Sequence, residues 1–148
     1  MASYIRRREF LAATLGGAAG AWPLAARAQP SAVPVIGWLG SESRDSEHVR
    51  VIHVRNGLKE AGYVEGQNVA IEYCWGEGHY DRLPVLAADL VRRQVAVIAG
   101  DTVSAIAAKR VTSTIPIVFI TAEDPVRLRI VASINRPGGN AARDLARA

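Results

Sequence analysis

The chain has one cysteine in 148 residues, so it can form neither an intrachain disulfide nor a cysteine-based zinc cluster. It lacks the Gly-x4-Gly-Lys-Ser/Thr loop that cradles phosphates. Gly37-Trp38-Leu39-Gly40 lacks the third glycine and the spacing of a dinucleotide fingerprint. There is no Gly-x-Ser-x-Gly elbow to present a nucleophilic serine. His48 and His53 are five residues apart, about 500° of helical rotation, so they share no metal-binding face. His79 lies beside Asp81 in a loop, and Cys74 sits in a strand-like segment with no histidine close by. The sequence therefore implies no cofactor, no metal and no catalytic residue. A small exported α/β enzyme is the weakest of the available readings.

What is present is a globular composition. Apolar residues make up 49% and charged residues 22%, enough for one domain with a true core. The net charge of +4 first suggests a polyanionic partner. Its placement removes that suggestion. Arg6, Arg7, Arg8 and Arg27 against Glu9 put +3 of it in the first 28 residues. The rest of the chain is nearly neutral and has no basic stripe interleaved with aromatics, so nucleic acid is not expected.

Residues 1–28 read as an export signal. A basic start is followed by a weakly apolar stretch and then by Ala26-Arg27-Ala28, a small-x-small cleavage site. The apolar part is too short and too rich in Gly and Ala for a membrane span, which needs about 20 strongly apolar residues. Arg7-Arg8-Glu9-Phe10-Leu11 resembles the twin-arginine motif, with Arg6 where Ser or Thr is usual. Twin-arginine export to the periplasm is expected, with general secretion as the alternative. Residues 29–32 read as a flexible lead.

From residue 33 the pattern alternates between strand and helix periods. Apolar or β-rich runs at 33–39, 69–75, 95–99 and 116–120 predict four strands. A helix is predicted over 45–61, with Val51, Val54, Leu58 and Ala61 on one face and Gly62 as a left-handed cap. A second is predicted over 80–93, with Leu83, Leu86, Ala87, Leu90 and Val91 inward. A third follows Thr102, with Val103, Ile106, Ala107 and Val111 inward, and a short fourth spans 126–134. Arg136-Pro137-Gly138-Gly139-Asn140 is a breaker cluster. Alternating strands and helices imply an α/β domain: a parallel sheet with right-handed crossovers and helices on both faces, a three-layer Rossmann-like arrangement over 33–140. Residues 141–148 read as a tail of helical composition.

Ligands of open parallel sheets bind at the carboxyl ends of strands. Three polar loops fall there: Gly40-Ser41-Glu42-Ser43, Gly100-Asp101-Thr102 and Thr121-Ala122-Glu123-Asp124. Hydroxyls and helix amides suit a carboxylate, and acidic groups suit an ammonium, so a zwitterion such as an amino acid would use both. The plainer alternative is that Ser43, Asp101 and Thr102 are only helix caps. Tyr73 and Trp75 read as strand packing.

Several segments together resemble a known family. They include Gly57-Leu58-Lys59-Glu60-Ala61-Gly62-Tyr63-Val64-Glu65-Gly66-Gln67-Asn68-Val69, Tyr80-Asp81-Arg82-Leu83-Pro84, Ile115-Pro116-Ile117-Val118-Phe119 and Asn135-Arg136-Pro137-Gly138-Gly139-Asn140. In order and spacing they resemble the substrate-binding proteins of ABC importers, in the subgroup related to tryptophan and aromatic amino-acid binders. The resemblance implies a type I periplasmic-binding-protein lobe, a small-molecule solute and an ABC permease as partners, and a ligand site at Ser41, Asp101, Thr102, Thr121 and Asp124. That family carries two lobes. Here the pattern stops after Asn140, so the second lobe is expected to be absent and the product truncated. Cys74 and Arg129 depart from the family, which often has a basic residue and a glycine there.

Overall fold

The computed structural model describes residues 32–132 and 138–143. The export-signal reading of 1–28, most of the lead, the Arg136-Pro137 breaker and the tail at 144–148 lie outside those residues. The compact unit starts at Val33. Its elements are β1 (Val35–Gly40), α1 (Arg44–Glu60), β2 (Ala70–Trp75), a 3-10 turn (Tyr80–Arg82) continuing into α2 (Leu83–Arg92), β3 (Val97–Asp101), α3 (Thr102–Val111), β4 (Ile117–Ile120) and β5 (Ala141–Arg143).

The sheet is parallel throughout, in the order β2-β1-β3-β4-β5. Stepping outward from β1 in opposite directions, right-handed crossovers place α1 on one face and α2 and α3 on the other. The apolar core lies under α2 and α3. There Leu39, Ile98, Ile117 and Phe119 from the strands meet Leu83, Ala87, Leu90, Ala105 and Ala108 from the helices. The face bearing α1 is thinly covered. Trp38, Ala99 and Val118 share it by register, yet Val118 and Ile120 are 36% and 38% exposed.

Five sequence expectations change. The strand read at 95–99 forms two residues later, because Gln94 turns left-handed (φ 57°) after α2 and Val95 is used to close that turn. In α3 the inward face is Ser104, Ala105, Ala107 and Ala108, while Val103 is 39% exposed. Small residues let this helix lie close to the strands. In α1 the stripe at Val51, Val54 and Leu58 is only half-buried and Ala61 is exposed; the one fully buried residue is Glu47. Finally, Ala141–Arg143 is a strand and not helical tail. Asn140 fixes its entry by donating to the Thr112 and Ile115 carbonyls, at 3.2 and 2.7 Å.

The helix expected over 126–134 is also absent among the described residues, where 126–129 form a turn and 130–132 a bend. Ile130 N bonds to Pro125 O and Arg129 N to Val126 O, both at 3.0 Å, while Arg129 adopts φ 55°. This is a Schellman closure after a single turn. The same closure ends α1, with Gly62 at φ 89° in the left-handed place. Arg129 therefore occupies a glycine position and bears the cost of its Cβ. Arg129→Gly is expected to raise stability by about 0.5–1 kcal/mol in urea unfolding, since the left-handed strain is relieved and the side chain makes no hydrogen bond or ion pair among the described residues. A destabilised variant would refute the strain.

Candidate ligand-binding edge

The carboxyl ends of β1, β2 and β3 bring their loops together. Ser41 follows β1 and Asp101 ends β3, sixty residues apart in sequence, and they touch directly. The Asp101 carboxylate accepts the Ser41 hydroxyl and the Ser41 amide (3.2 Å) on Oδ2, and the Ser104 amide (2.8 Å) on Oδ1. Asp101 thus caps α3 and ties β3 to the β1 loop at once. Its acceptor role is filled from within the protein.

Glu47 holds the next residue of the same loop. Its carboxylate, 2% exposed, accepts Trp38 Nε1 at 3.1 Å and the Glu42 amide at 3.0 Å. Arg50 lies 3.5 Å from Glu47 and 3.9 Å from Asp101, facing both carboxylates. Glu42 in turn accepts the Tyr80 hydroxyl at 2.8 Å, and this bond raises the Tyr80 phenol above its ordinary value. Trp75 stacks on Tyr73 with ring centres 5.8 Å apart, and its ring lies over Gly40. Burial, then the Glu65 carboxylate, pushes the Tyr73 phenol up. Cys74 points to the opposite face, where burial raises its thiol and Arg93 partly offsets the rise; it stays a thiol near neutral pH.

Of the five expected site residues, the fold unites Ser41, Asp101 and Thr102. Thr102 is half-buried, and its hydroxyl has no hydrogen-bond partner among the described residues. Thr121 and Asp124 serve their own loop: the Thr121 hydroxyl accepts the Glu123 amide at 3.0 Å, and Asp124 accepts the Val126 amide at 2.9 Å. Ser41 and Glu42 direct their amides inward, so this loop offers few free donors to an anion.

Glu47, Trp38 and Arg50 escaped the sequence reading. A signal for Glu47 was present, since it lies one turn before Val51 on the inward stripe of α1, where a carboxylate must find donors. Trp38 is a buried indole whose N–H needs an acceptor. A cleft of about 280 Å³ lies elsewhere, between α1 and the start of β2, lined in part by Ile52, Tyr63 and Ile71. Neither Trp38, Glu47 and Arg50 nor any of the five expected site residues lines it. Among the described residues no cluster of three His, Cys, Asp or Glu is placed to hold a metal, and no helix is long and apolar enough to cross a membrane.

Comparison with known proteins adds the following. The family model described as ABC transporter substrate binding protein matches residues 34–142. A tyrosine-binding protein of Clostridioides difficile (strain R20291) is 32% identical over 84 residues, 56% of this chain and 24% of that protein. An ABC domain in complex with L-Trp from Streptococcus pneumonia superposes with a TM-score of 0.69 at 25% identity, covering 74% of this chain and 37% of that one. A conserved domain protein from Vibrio cholerae gives a TM-score of 0.70 at 28% identity, covering 75% of this chain and 38% of that one. The chain therefore spans about a quarter of the curated relative and little more than a third of the solved ones.

Proposed function

Because the chain belongs to the family of ABC transporter substrate binding proteins, we propose that it is a receptor lobe that captures a small aromatic amino acid at its carboxyl edge without chemistry. The observation that carries this is the family match across the whole described fold, joined to polar loops gathered at one sheet edge. Ser41, Asp101 and Thr102 form the centre of that edge, with Thr121 and Asp124 at its margin. The Thr102 hydroxyl is the group free to meet ligand; Ser41 and Asp101 shape the surface around it. Tyrosine and tryptophan are the ligands named for two relatives, and a zwitterion suits an edge rich in both hydroxyls and carboxylates. Delivery to an ABC permease would follow, in the periplasm, after twin-arginine export and cleavage near Ala28.

A lobe that supplies one side of a cleft makes about half the contacts and cannot exclude water by closure. Binding of L-tryptophan or L-tyrosine by this chain alone is therefore expected at a Kd of about 1 mM or weaker. Calorimetry or an NMR titration checks it, and sub-micromolar binding would overturn the one-sided reading. Amide shifts confined to the carboxyl edge on adding L-tryptophan support the receptor reading. Their complete absence at saturating ligand would overturn it.

A further inference from the structure

We infer that Glu47 is a positioning residue of the carboxyl edge: anchored to the core through Trp38, it sets the backbone of the β1–α1 loop as far as Ser41, which it does not touch. The inference rests on the receptor reading for the role of that loop. Trp38 is 2% exposed in the middle of the sheet, so its indole N–H is a fixed reference point. Glu47 joins that point to the Glu42 amide across a single carboxylate, at 3.1 and 3.0 Å. The preceding amide, Ser41, is held by Asp101 from β3. Two consecutive amides of one loop are thus held by carboxylates from two different elements, α1 and β3.

Arg50 makes the two holds depend on each other. Glu47 and Asp101 are both carboxylates with little exposure to solvent, and the partly exposed Arg50 guanidinium faces both and offsets their repulsion. Steric fit leaves the loop little freedom. A Cβ on Gly40 would lie 2.6 Å from the Trp75 ring and 2.8 Å from Glu47 Oε1. A shift of Glu47 therefore moves the loop backbone and loosens Ser41 on Asp101. A residue that merely capped Glu42 would have no such reach.

Amide hydrogen exchange on the full chain tests this, comparing wild type with Glu47→Gln. Glutamine keeps the volume, but one of the two acceptor oxygens becomes an NH2 group set against the Trp38 or Glu42 donor, and it presents no charge to Arg50. The expected result is exchange at both Glu42 and Ser41 about tenfold faster or more, with Ile98 in the core ladder unchanged within about twofold. Acceleration at Glu42 alone would overturn the proposal. Should Glu47→Gln speed every amide alike, Arg50→Gln gives the decision, because it removes only the shared cation. Faster exchange at Ser41 and Glu42 with Ile98 unchanged then upholds the proposal, and no response at either overturns it. L-Tryptophan titrated into the wild type reads the receptor function separately. Absent shifts there sink that function while leaving the exchange result to judge Glu47.

Discussion

Replacing Gly100 with alanine is expected to destabilise the domain by about 3 kcal/mol or more, the largest effect of any single methyl added to it. Gly100 lies in β3 opposite Leu39 of β1. A Cβ there would fall inside the contact radius of the Leu39 carbonyl oxygen and 2.9 Å from the Ser104 Cβ. The first obstacle is backbone, which cannot rotate away. Relief would require parting β1 from β3 at the sheet centre or lifting the start of α3, and lifting α3 breaks the Asp101 cap. Gly57→Ala is the matching control. Gly57 sits in α1 with nothing within 4 Å of an added Cβ, so alanine there should stabilise by about 0.5–1 kcal/mol through helix propensity. Urea unfolding of both variants checks the contrast. A Gly100→Ala protein within 1 kcal/mol of wild type would mean that the β1–β3–α3 junction is looser than described.

Asp101→Ala is expected to cost about 3 kcal/mol, with asparagine intermediate. Alanine removes the helix cap and strands three donors: the Ser41 amide, the Ser41 hydroxyl and the Ser104 amide. Asparagine restores one acceptor oxygen for Ser104 but turns an NH2 group toward the Ser41 amide, donor against donor. Ser41→Ala added to Asp101→Ala should cost less than it does in wild type, because its hydroxyl has already lost its acceptor. Strictly additive effects in that cycle would show that the two residues do not depend on each other.

The order of elements and the parallel sheet were legible because the hydrophobic period changes cleanly along the chain. Leu83, Ala87 and Leu90 repeat at helical spacing, and Ile98 with its neighbours forms an unbroken apolar run. Gly62 announced its own left-handed cap. Arg129 concealed one, since nothing in an arginine signals φ 55°, and a helix was read where a single closed turn stands. β5 was illegible for a related reason. Ala-Ala-Arg has little β character, and the strand is placed from outside by Asn140 and by pairing with β4. At the edge, sequence could nominate Ser41, Asp101 and Thr102 by their positions after strands. It could not show that Ser41 and Asp101 are spent on each other, because that bond spans sixty residues.

The attachment of α1 has a mechanical consequence. Its amino end is pinned by Glu47, Arg50 and the Ser43 cap, and its carboxyl end by the Arg55–Glu65 ion pair at 2.9 Å and the Gly62 closure. Between these pins its apolar stripe is only half-buried, so the helix behaves as a strut fastened at its ends and not as a layer glued along its length. Releasing the amino-end pins would free the β1 loop while the core beneath α2 and α3 stayed closed. The edge can therefore be reshaped without reopening the fold, which separates the loops at the carboxyl ends of the strands from the packing that keeps the chain folded.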